Sequence, residues 1–220
     1  MNEQTACEIF RTLEKEYPDA SYIPHTDATP FQILVLTILS AQTTDRAVES
    51  VRVRLFSSYP TPDALAAADP ADVEALIHST GFFRMKARHI ISAARMVKDE
   101  FNGTVPDTMD ELLRIPGVGR KTANIVLFHA FGKNAGVAVD THVFRLAGRI
   151  GFSRGKTAEQ VESDLMHFYQ KEQWGRLTDL LIAHGRSVCD AKKPRCETCL
   201  IRDNCRYYRE ITKKQPGSTL

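Results

Sequence analysis

The sequence lacks the features that mark membrane-spanning, exported or fibrous proteins. Its longest apolar stretch, residues 31–39, is interrupted only by Gln32 and Thr37, and it is far shorter than the roughly 20 residues that a membrane-spanning helix needs. The first residues are polar and acidic, with no basic segment followed by an apolar one, so we expect no secretory signal. No internal repeat or long low-complexity linker interrupts the 220 residues. We therefore expect a globular protein that is not exported.

Strand-like segments are scarce as well. The best of them, residues 137–139, is only three residues long. Helix signals recur along the chain instead. Asp69 and Pro70 offer a capping residue followed by a proline at the first helical position, and Thr157 with Gln160 fits the capping-box pattern. Because apolar residues at helical spacing follow such starts, the sequence predicts an all-α fold.

The net charge of +2 indicates no particular partner by itself. Its distribution is more informative, because residues 1–80 carry 5 Lys and Arg against 12 Asp and Glu, whereas residues 81–220 carry 24 against 15. The first part, with a net charge of −7, repels phosphate, and the second part, with +9, attracts it. The distribution favours a polyanionic partner that binds the later two-thirds of the chain.

A turn with two glycines separates two helical patterns near the middle of the chain. Pro116 ends the first pattern, the turn follows at Gly117, Val118 and Gly119, and the second pattern runs to Gly132. Glycine permits backbone angles that side chains forbid, and the first N–H groups of the second helix lie at the positive end of its dipole. The turn could hold a phosphate without reading a base, or it could simply join two antiparallel helices. The flanking Ile-Pro and Arg-Lys-Thr-Ala residues favour the first interpretation.

Four of the five cysteines crowd into seventeen residues near the C-terminus, at Cys189, Cys196, Cys199 and Cys205. Without an export signal, this crowding favours a metal site over disulfide bonds. Four thiolates can close a tetrahedral zinc site or hold one cubane iron–sulfur cluster, and the chemistry of the thiolates alone does not decide between the two. The spacing does lack the paired Cys-x2-Cys arms of a zinc ribbon.

Four segments follow one another in a recognisable order. They are Leu-Ser-Ala-Gln-Thr-Thr-Asp at 39–45, the glycine turn with its helices at about 108–131, Val-Asp-Thr-His-Val-Phe-Arg at 139–145, and the four C-terminal cysteines. Together they resemble the endonuclease III family of DNA glycosylases over nearly the whole chain. We expect a two-lobed helical fold with a helix-hairpin-helix motif. Residues 23–134 would form a helical domain, and residues 1–22 with 135–220 an iron–sulfur domain.

The resemblance implies that Lys121 and Asp140 carry the chemistry. The amine of Lys121 would attack C1′ of the sugar, expel the base and form an imine that permits β-elimination of the 3′ phosphate. The carboxylate of Asp140 would stabilise the positive charge on the sugar and assist deprotonation of the lysine. An aspartate at this place also fits a helix N-cap, and the two roles are compatible. The interval between the two residues is one residue longer than in the family, in the loop at 132–136.

The resemblance also implies two residues that enter DNA where a nucleotide is flipped out of the duplex. Gln42 resembles the family's gap-filling glutamine, although it could be a solvated residue at a helix end. The turn with Thr80 and Phe82 could insert an apolar wedge, but the family carries aliphatic residues there, and Phe82 could belong to the core. The next segment suits either a DNA-facing helix or a solvated face, because it carries five basic residues: Arg84, Lys86, Arg88, Arg95 and Lys98.

The cofactor that the resemblance implies is a 4Fe-4S cluster, which the family holds on cysteines at this spacing. We expect it to support the fold and the docking of DNA, since nothing in the lysine chemistry requires a redox centre. The basic loop at 190–195, between the first two cysteines, is then a candidate phosphate contact.

We expect a bifunctional DNA glycosylase and apurinic/apyrimidinic lyase that removes oxidised pyrimidines from double-stranded DNA in base excision repair. It would act as a monomer in the cytoplasm, associated with the nucleoid. A monofunctional mismatch-specific glycosylase is an alternative, but its relatives place a non-nucleophilic residue at the position of Lys121. A non-catalytic helix-hairpin-helix module is another, although such a module needs neither Asp140 nor Gln42. An electron-transfer protein built on the cysteines would not cleave damaged DNA.

Overall fold

The computed structural model describes residues 1–23 and 27–213, in which all regular secondary structure is helical. In chain order the α-helices are α1 (Glu3–Glu16), α2 (Pro30–Leu39), α3 (Asp45–Ser58), α4 (Pro62–Ala66), α5 (Pro70–Ile77), α6 (Phe83–Glu100), α7 (Met109–Leu112), α8 (Arg120–Phe131), α9 (Thr141–Ile150), α10 (Ala158–Phe168), α11 (Trp174–Ser187) and α12 (Arg206–Lys213). Single turns of 3₁₀-helix lie at His78–Thr80, Lys171–Gln173, Cys196–Thr198 and Arg202–Asn204. The predicted all-α fold is confirmed.

The chain divides into two compact units. One comprises Met1–Pro24 with Asn134–Leu220 and is called here the cysteine unit, and the other is His25–Lys133, the hairpin unit. The sequence places this division at residues 23 and 134. We propose that the two units correspond to the two predicted domains.

Local sequence accounts for where most helices begin. Asp69 caps α5 as predicted, and Thr157 with Gln160 forms the predicted capping box of α10. Helices α6 and α8 differ, because their N-cap residues are Phe82 and Gly119, and neither supplies a capping side chain. These two helix starts carry residues that the sequence predicts to contact DNA.

Helix α2 lies in the core of the hairpin unit. Its side chains from 31 to 39, apart from Gln32, are buried, and it packs against α6 and α8. Residues 122–127 of α8 are buried in turn. Since full burial of one such apolar side chain contributes roughly 1.5–3 kcal/mol, this contact fixes α8 firmly. Although α2 is strongly apolar, no helix in the described part of the chain has the length and apolarity needed to cross a membrane.

The core of the cysteine unit is built from α1, α9, α10 and α11. Helix α11 packs against both α9 and α1. The hydroxyl of Tyr169 donates a hydrogen bond to the carbonyl oxygen of Ala6 at 3.0 Å, which fastens α1 to the end of α10. This core carries Asp140 at the start of α9 and the four cysteines after the end of α11.

Candidate functional site

The turn between α7 and α8 is built by two glycines with different roles. Gly117 has a φ of 83°, and a Cβ added there would lie 3.0 Å from the Cβ of His89. Gly119 is extended and has open space around its α-carbon. Val118 and Ile115 are buried. The turn is thus anchored in the core by its apolar side chains, while the backbone of both glycines is exposed.

Helix α8 begins at this turn without a capping side chain. The positive end of its dipole therefore lies at an exposed stretch of backbone, where an anion is favoured. Lys121 is the second residue of the helix. It is half-buried and lies between the exposed Arg120 and the buried Thr122. Lys121 is thus attached within one turn of the helix end that favours an anion.

Asp140 is the N-cap of α9. Its Oδ1 accepts a hydrogen bond from the backbone N–H of Val143 at 2.8 Å, so the capping role that the sequence suggested is present. The preceding residues 137–139 are buried, and the backbone N–H of Ala138 donates to Oγ1 of Thr178 at 3.0 Å. Asp140 itself is half-buried. Its carboxylate is therefore held in place at the end of a fixed segment of the cysteine unit.

Gln42 lies in the turn that follows α2 and is exposed. Its φ of 51° is left-handed, a conformation that residues other than glycine adopt infrequently. The backbone N–H of Thr43 donates to the carbonyl oxygen of Ser40 at 3.2 Å and closes the turn. Strained conformations of this kind concentrate at functional sites.

Phe82 is 65% exposed, so the interpretation of Phe82 as a core residue is wrong. It too has a left-handed φ, 48°. Thr80, by contrast, is only 1% exposed, which removes it as a wedge. Met85, three residues further along, is 50% exposed, which the sequence did not indicate. The apolar surface that this turn offers a partner is therefore that of Phe82 and Met85.

Lys86 joins the two turns, which the sequence did not indicate. Its side chain is 2% exposed, and its Nζ donates to the carbonyl oxygen of Thr80 at 2.7 Å and to Oγ1 of Thr43. The hydroxyl of Thr43 in turn donates to the same carbonyl at 2.5 Å. Burial lowers the pKa of Lys86 to about 8. The sequence allowed a DNA-facing or a solvated face for this basic segment, and both interpretations are wrong for the buried Lys86.

Three other basic residues of α6 contact the helices packed against it. Arg84 lies 3.8 Å from Glu74, Lys98 lies 3.6 Å from Asp63, and Nε of Arg95 donates to a backbone carbonyl of α4 at 3.0 Å. Exposed pairs of this type contribute little to stability. The solvated and the DNA-facing interpretations of this face both stay predictions.

The four cysteines are brought together, as the sequence predicts. Cys189, Cys196, Cys199 and Cys205 line one cavity, and His184 of α11 lines it with them. Burial raises the pKa of the Cys199 thiol to about 11, and the neighbouring thiols add to this shift. Burial likewise raises the pKa values of Cys196 and Cys205. In residues 1–23 and 27–213, no three Cys, His, Asp or Glu side chains are grouped as they would be around a single metal ion.

Two arginines of α9 hold the start of the cysteine segment. Nη1 of Arg149 lies 3.4 Å from Sγ of Cys189, and its guanidinium stacks over the ring of Tyr207 with 5.0 Å to the centroid. Nη2 of Arg145 donates to the carbonyl oxygen of Cys189 at 3.1 Å. Because guanidinium donors are charged, these hydrogen bonds are stronger than neutral ones.

His184 contacts the same segment from α11. Its Nε2 lies 3.5 Å from Sγ of Cys199, and its Nδ1 lies 3.0 Å from the hydroxyl of Tyr17. Burial lowers the pKa of His184 to about 4, so the ring is neutral at neutral pH. If Nδ1 of the neutral ring accepts a hydrogen bond from the hydroxyl of Tyr17, the ring proton lies on Nε2, and this N–H faces Sγ of Cys199.

The basic loop at 190–195 folds around its own carboxylate. Oδ1 of Asp190 accepts hydrogen bonds from the backbone N–H groups of Lys192 at 2.8 Å and Lys193 at 3.1 Å, and these bonds lower the pKa of Asp190. Lys192, Lys193 and Arg195 are exposed. The loop thus presents three cations while its acidic residue is engaged.

Comparisons with known proteins agree with this arrangement. A family model described as the HhH-GPD superfamily base excision DNA repair protein matches residues 35–171. The endonuclease III of Synechocystis sp. is 49% identical over 202 residues, 92% of each chain, and that of Escherichia coli is 38% identical over 214 residues, 96% of this chain and 99% of the relative. A solved structure of a trapped endonuclease III–DNA covalent intermediate, in an estranged-adenine complex, has a TM-score of 0.90 at 39% identity and covers 96% of this chain and 99% of its own.

Proposed function

The chain belongs to the HhH-GPD superfamily of base excision DNA repair proteins and, within it, to the endonuclease III family, and we propose that Lys121 and Asp140 perform its reaction. It is a bifunctional DNA glycosylase with lyase activity at apurinic or apyrimidinic sites, and DNA is its partner. The observation that carries the proposed roles is the position of Lys121, second in a helix that begins at an exposed, uncapped glycine turn.

In the glycosylase step, the amine of Lys121 attacks C1′ of the damaged nucleotide. The N–C1′ bond forms while the bond between C1′ and the base breaks, and the base leaves with the bonding electrons. A lysine in water has a pKa of about 10.4 and is mostly protonated at neutral pH, so the amine must lose a proton before it attacks. The carboxylate of Asp140 accepts this proton or stabilises the positive charge that develops on the sugar.

In the lyase step, the sugar ring opens and the adduct becomes an imine between Lys121 and C1′. The electron-poor imine carbon acidifies the C2′ proton. A base removes that proton, and the resulting enamine has a double bond between C1′ and C2′. The electron pair of this bond then forms a C2′–C3′ double bond while the C3′–O bond breaks, so the 3′ phosphate leaves with the C–O bonding electrons and the imine is restored. Water then hydrolyses the imine and releases the lysine. The strand is thereby cut by β-elimination.

The glycine turn would hold the phosphate backbone near this lysine. Gly117 and Gly119 leave exposed backbone beside the start of α8, and only small residues allow a phosphate to approach the backbone so closely. Such contacts position the strand without reading its sequence. This suits an enzyme that must find lesions in any sequence.

Gln42 and Phe82 would enter the duplex when the damaged nucleotide is flipped out. Both are exposed, and both lie on turns with a left-handed backbone. A glutamine can hydrogen-bond the base that has lost its partner, and a phenylalanine can wedge between stacked bases. Together they would keep the gap from closing.

The four cysteines would hold a 4Fe-4S cluster. The cysteines line one cavity, as they would around a cluster that offers a separate iron to each thiolate. The cluster would fix the cysteine segment and thereby the exposed basic loop at 190–195 for a second phosphate contact.

We further propose that oxidised pyrimidines in duplex DNA are the substrates, and that the protein acts as a monomer in the cytoplasm, associated with the nucleoid. The monofunctional glycosylase is disfavoured because Lys121 stands at the nucleophile position. The non-catalytic binding module is disfavoured because it needs neither Gln42 to fill a gap in DNA nor Asp140 beyond its role as the N-cap of α9.

The test is incubation with duplexes that carry thymine glycol, uracil, a T:G mismatch or an abasic site, with base release and strand nicking scored separately. We expect both at thymine glycol, and nicking at the abasic site. Lys121→Gln should lower both rates by roughly a thousandfold or more. Lys133→Gln is the matched control, because Lys133 lies beyond the other end of α8 and donates to Asp107 at 2.6 Å. Base release without nicking would indicate the monofunctional alternative, and binding without either would indicate the module.

A further inference from the structure

Three described residues other than glycine have a left-handed backbone: Gln42, Phe82 and Asn102. Asparagine tolerates this conformation, whereas glutamine and phenylalanine adopt it rarely. Gln42 and Phe82 are also the two residues that are proposed to enter DNA. Such conformations persist only where the surrounding structure holds them. The contacts that hold these two turns therefore bear on how the protein engages a lesion.

One side chain contacts both turns. Lys86, at the start of α6, donates to Oγ1 of Thr43, the residue directly after Gln42. It also donates to the carbonyl oxygen of Thr80, two residues before Phe82, at 2.7 Å. The hydroxyl of Thr43 donates to that carbonyl at 2.5 Å, so the three groups form a closed network between the two turns.

Burying the ammonium of Lys86 in this network costs free energy, which indicates that the lysine has a role beyond filling space. Lys86 is 2% exposed, and its acceptors among the described residues are an uncharged hydroxyl and an uncharged carbonyl oxygen. Burying a cation without an opposite charge is unfavourable, and an apolar side chain of the same length would fill the space at lower cost. What the ammonium adds is direction, since its hydrogen bonds fix where the two turns lie relative to each other.

We propose that Lys86 is a positioning residue that holds the Gln42 turn and the Phe82 turn in register, so that both side chains enter the same gap in the duplex. The lysine acts from the interior and does not contact DNA itself. The inference rests on the proposed function, because it requires Gln42 and Phe82 to enter DNA.

The test uses a duplex in which 2-aminopurine lies opposite a tetrahydrofuran abasic analogue. This analogue forms no imine, so the fluorescence of 2-aminopurine reports insertion without chemistry. The wild-type protein is expected to change the fluorescence. Lys86→Met should bind the duplex with a Kd within about threefold of wild type, because the phosphate contacts remain, but should lose most of the fluorescence change. Lys98→Met, about three turns further along α6, should behave as wild type.

Nicking kinetics give an independent readout. On a duplex with a natural abasic site, Lys86→Met should lower kcat roughly tenfold with KM little changed, since an interaction needed after binding is lost. Thr43→Val should reproduce both defects because it removes the shared hydroxyl, whereas Thr43→Ser should keep wild-type behaviour. Because Thr43 is only half-buried, the comparison of Thr43→Val with Thr43→Ser tests the positioning role of Lys86 even if Lys86→Met does not fold.

Wild-type fluorescence changes in both Lys86→Met and Thr43→Val would overturn the role of Lys86 and leave the proposed function intact. A wild-type protein that neither alters the fluorescence nor nicks the abasic duplex would instead overturn the proposed function. The two failures are therefore distinguishable.

Discussion

The two units hold their functional residues in different ways. In the hairpin unit, the residues proposed to contact DNA lie on short turns between packed helices, and Gln42, Phe82 and Gly117 all have a left-handed backbone there. In the cysteine unit, the segment 189–205 has little regular structure beyond two single turns of 3₁₀-helix, and side chains of α9 and α11 hold it. The first unit depends on backbone conformation, and the second on charged side-chain donors and on the proposed cysteine ligands. Substitutions should therefore damage the two units differently.

The largest effect is expected from the loss of one cysteine ligand. Cys199→Ser should abolish the broad visible absorption of an iron–sulfur protein and lower Tm by about 10 °C or more, because the segment 189–205 has little regular structure of its own to fix it. Absorption spectra and calorimetry measure both. Cys7→Ser is the matched control, since Cys7 is a half-buried residue of α1 outside the segment, and it should keep both properties. Unchanged absorption in Cys199→Ser would show that this cysteine is not a ligand.

The two glycines of the turn should separate folding from DNA binding. Gly117→Ala forces a side chain into a left-handed conformation beside His89, so the free energy of unfolding should fall by about 2 kcal/mol. Gly119→Ala meets open space, so its stability should stay within about 0.5 kcal/mol of wild type. Its added methyl group would keep a phosphate from the backbone, and DNA affinity should fall roughly tenfold. Denaturant unfolding and binding titrations test the pair. Equal DNA affinity in Gly119→Ala and wild type would contradict the phosphate contact.

Alkaline pH should affect the two units in opposite directions. Burial lowers the pKa of Lys86 from 10.5 to about 8, so between these values the unfolded chain binds more protons at this residue and the free energy of unfolding rises with pH. Burial raises the pKa of Tyr169 above its usual 10.0, so the unfolded chain releases this proton first, and the free energy of unfolding falls as the pH rises above 10.

Denaturant unfolding across this pH range measures both effects. Between pH 8 and 10.5 the free energy of unfolding of the wild type should rise by an amount on the order of 1 kcal/mol, and Lys86→Met should lack this rise. Above pH 10 the free energy of unfolding should fall less in Tyr169→Phe than in the wild type. Parallel curves for wild type and Lys86→Met would contradict the buried, protonated lysine.

Sequence was sufficient where a short segment determines its own conformation. Asp69 begins α5, and Gly132 ends α8 with a φ of 64°, as their residue types predict. The spacing of the cysteines likewise indicated that they share one site, and they line one cavity. At the two helix ends the deciding interactions lie within a few residues, so no knowledge of the tertiary structure was needed there.

The proposed role of Lys86 depends on tertiary structure and was not predicted, whereas the resemblance did indicate Phe82 as a wedge. In the sequence Lys86 is one of five basic residues of its segment, and its partners lie in turns that only the packing of the hairpin unit brings together. One local signal was available, because Lys86 falls on the same helical stripe as the buried Ile90, Ala93 and Val97. A cation on an apolar stripe indicates a buried, hydrogen-bonded group.

The central claim is that the amine of Lys121 forms a covalent imine with C1′ of the damaged nucleotide. The most direct measurement is borohydride reduction during turnover of a thymine glycol duplex, followed by proteolysis and mass spectrometry of the DNA-linked peptide. The adduct should map to the peptide containing Lys121, and Lys121→Ala should give none. A trapped complex with Lys121→Ala, or a wild-type adduct on another residue, would contradict it.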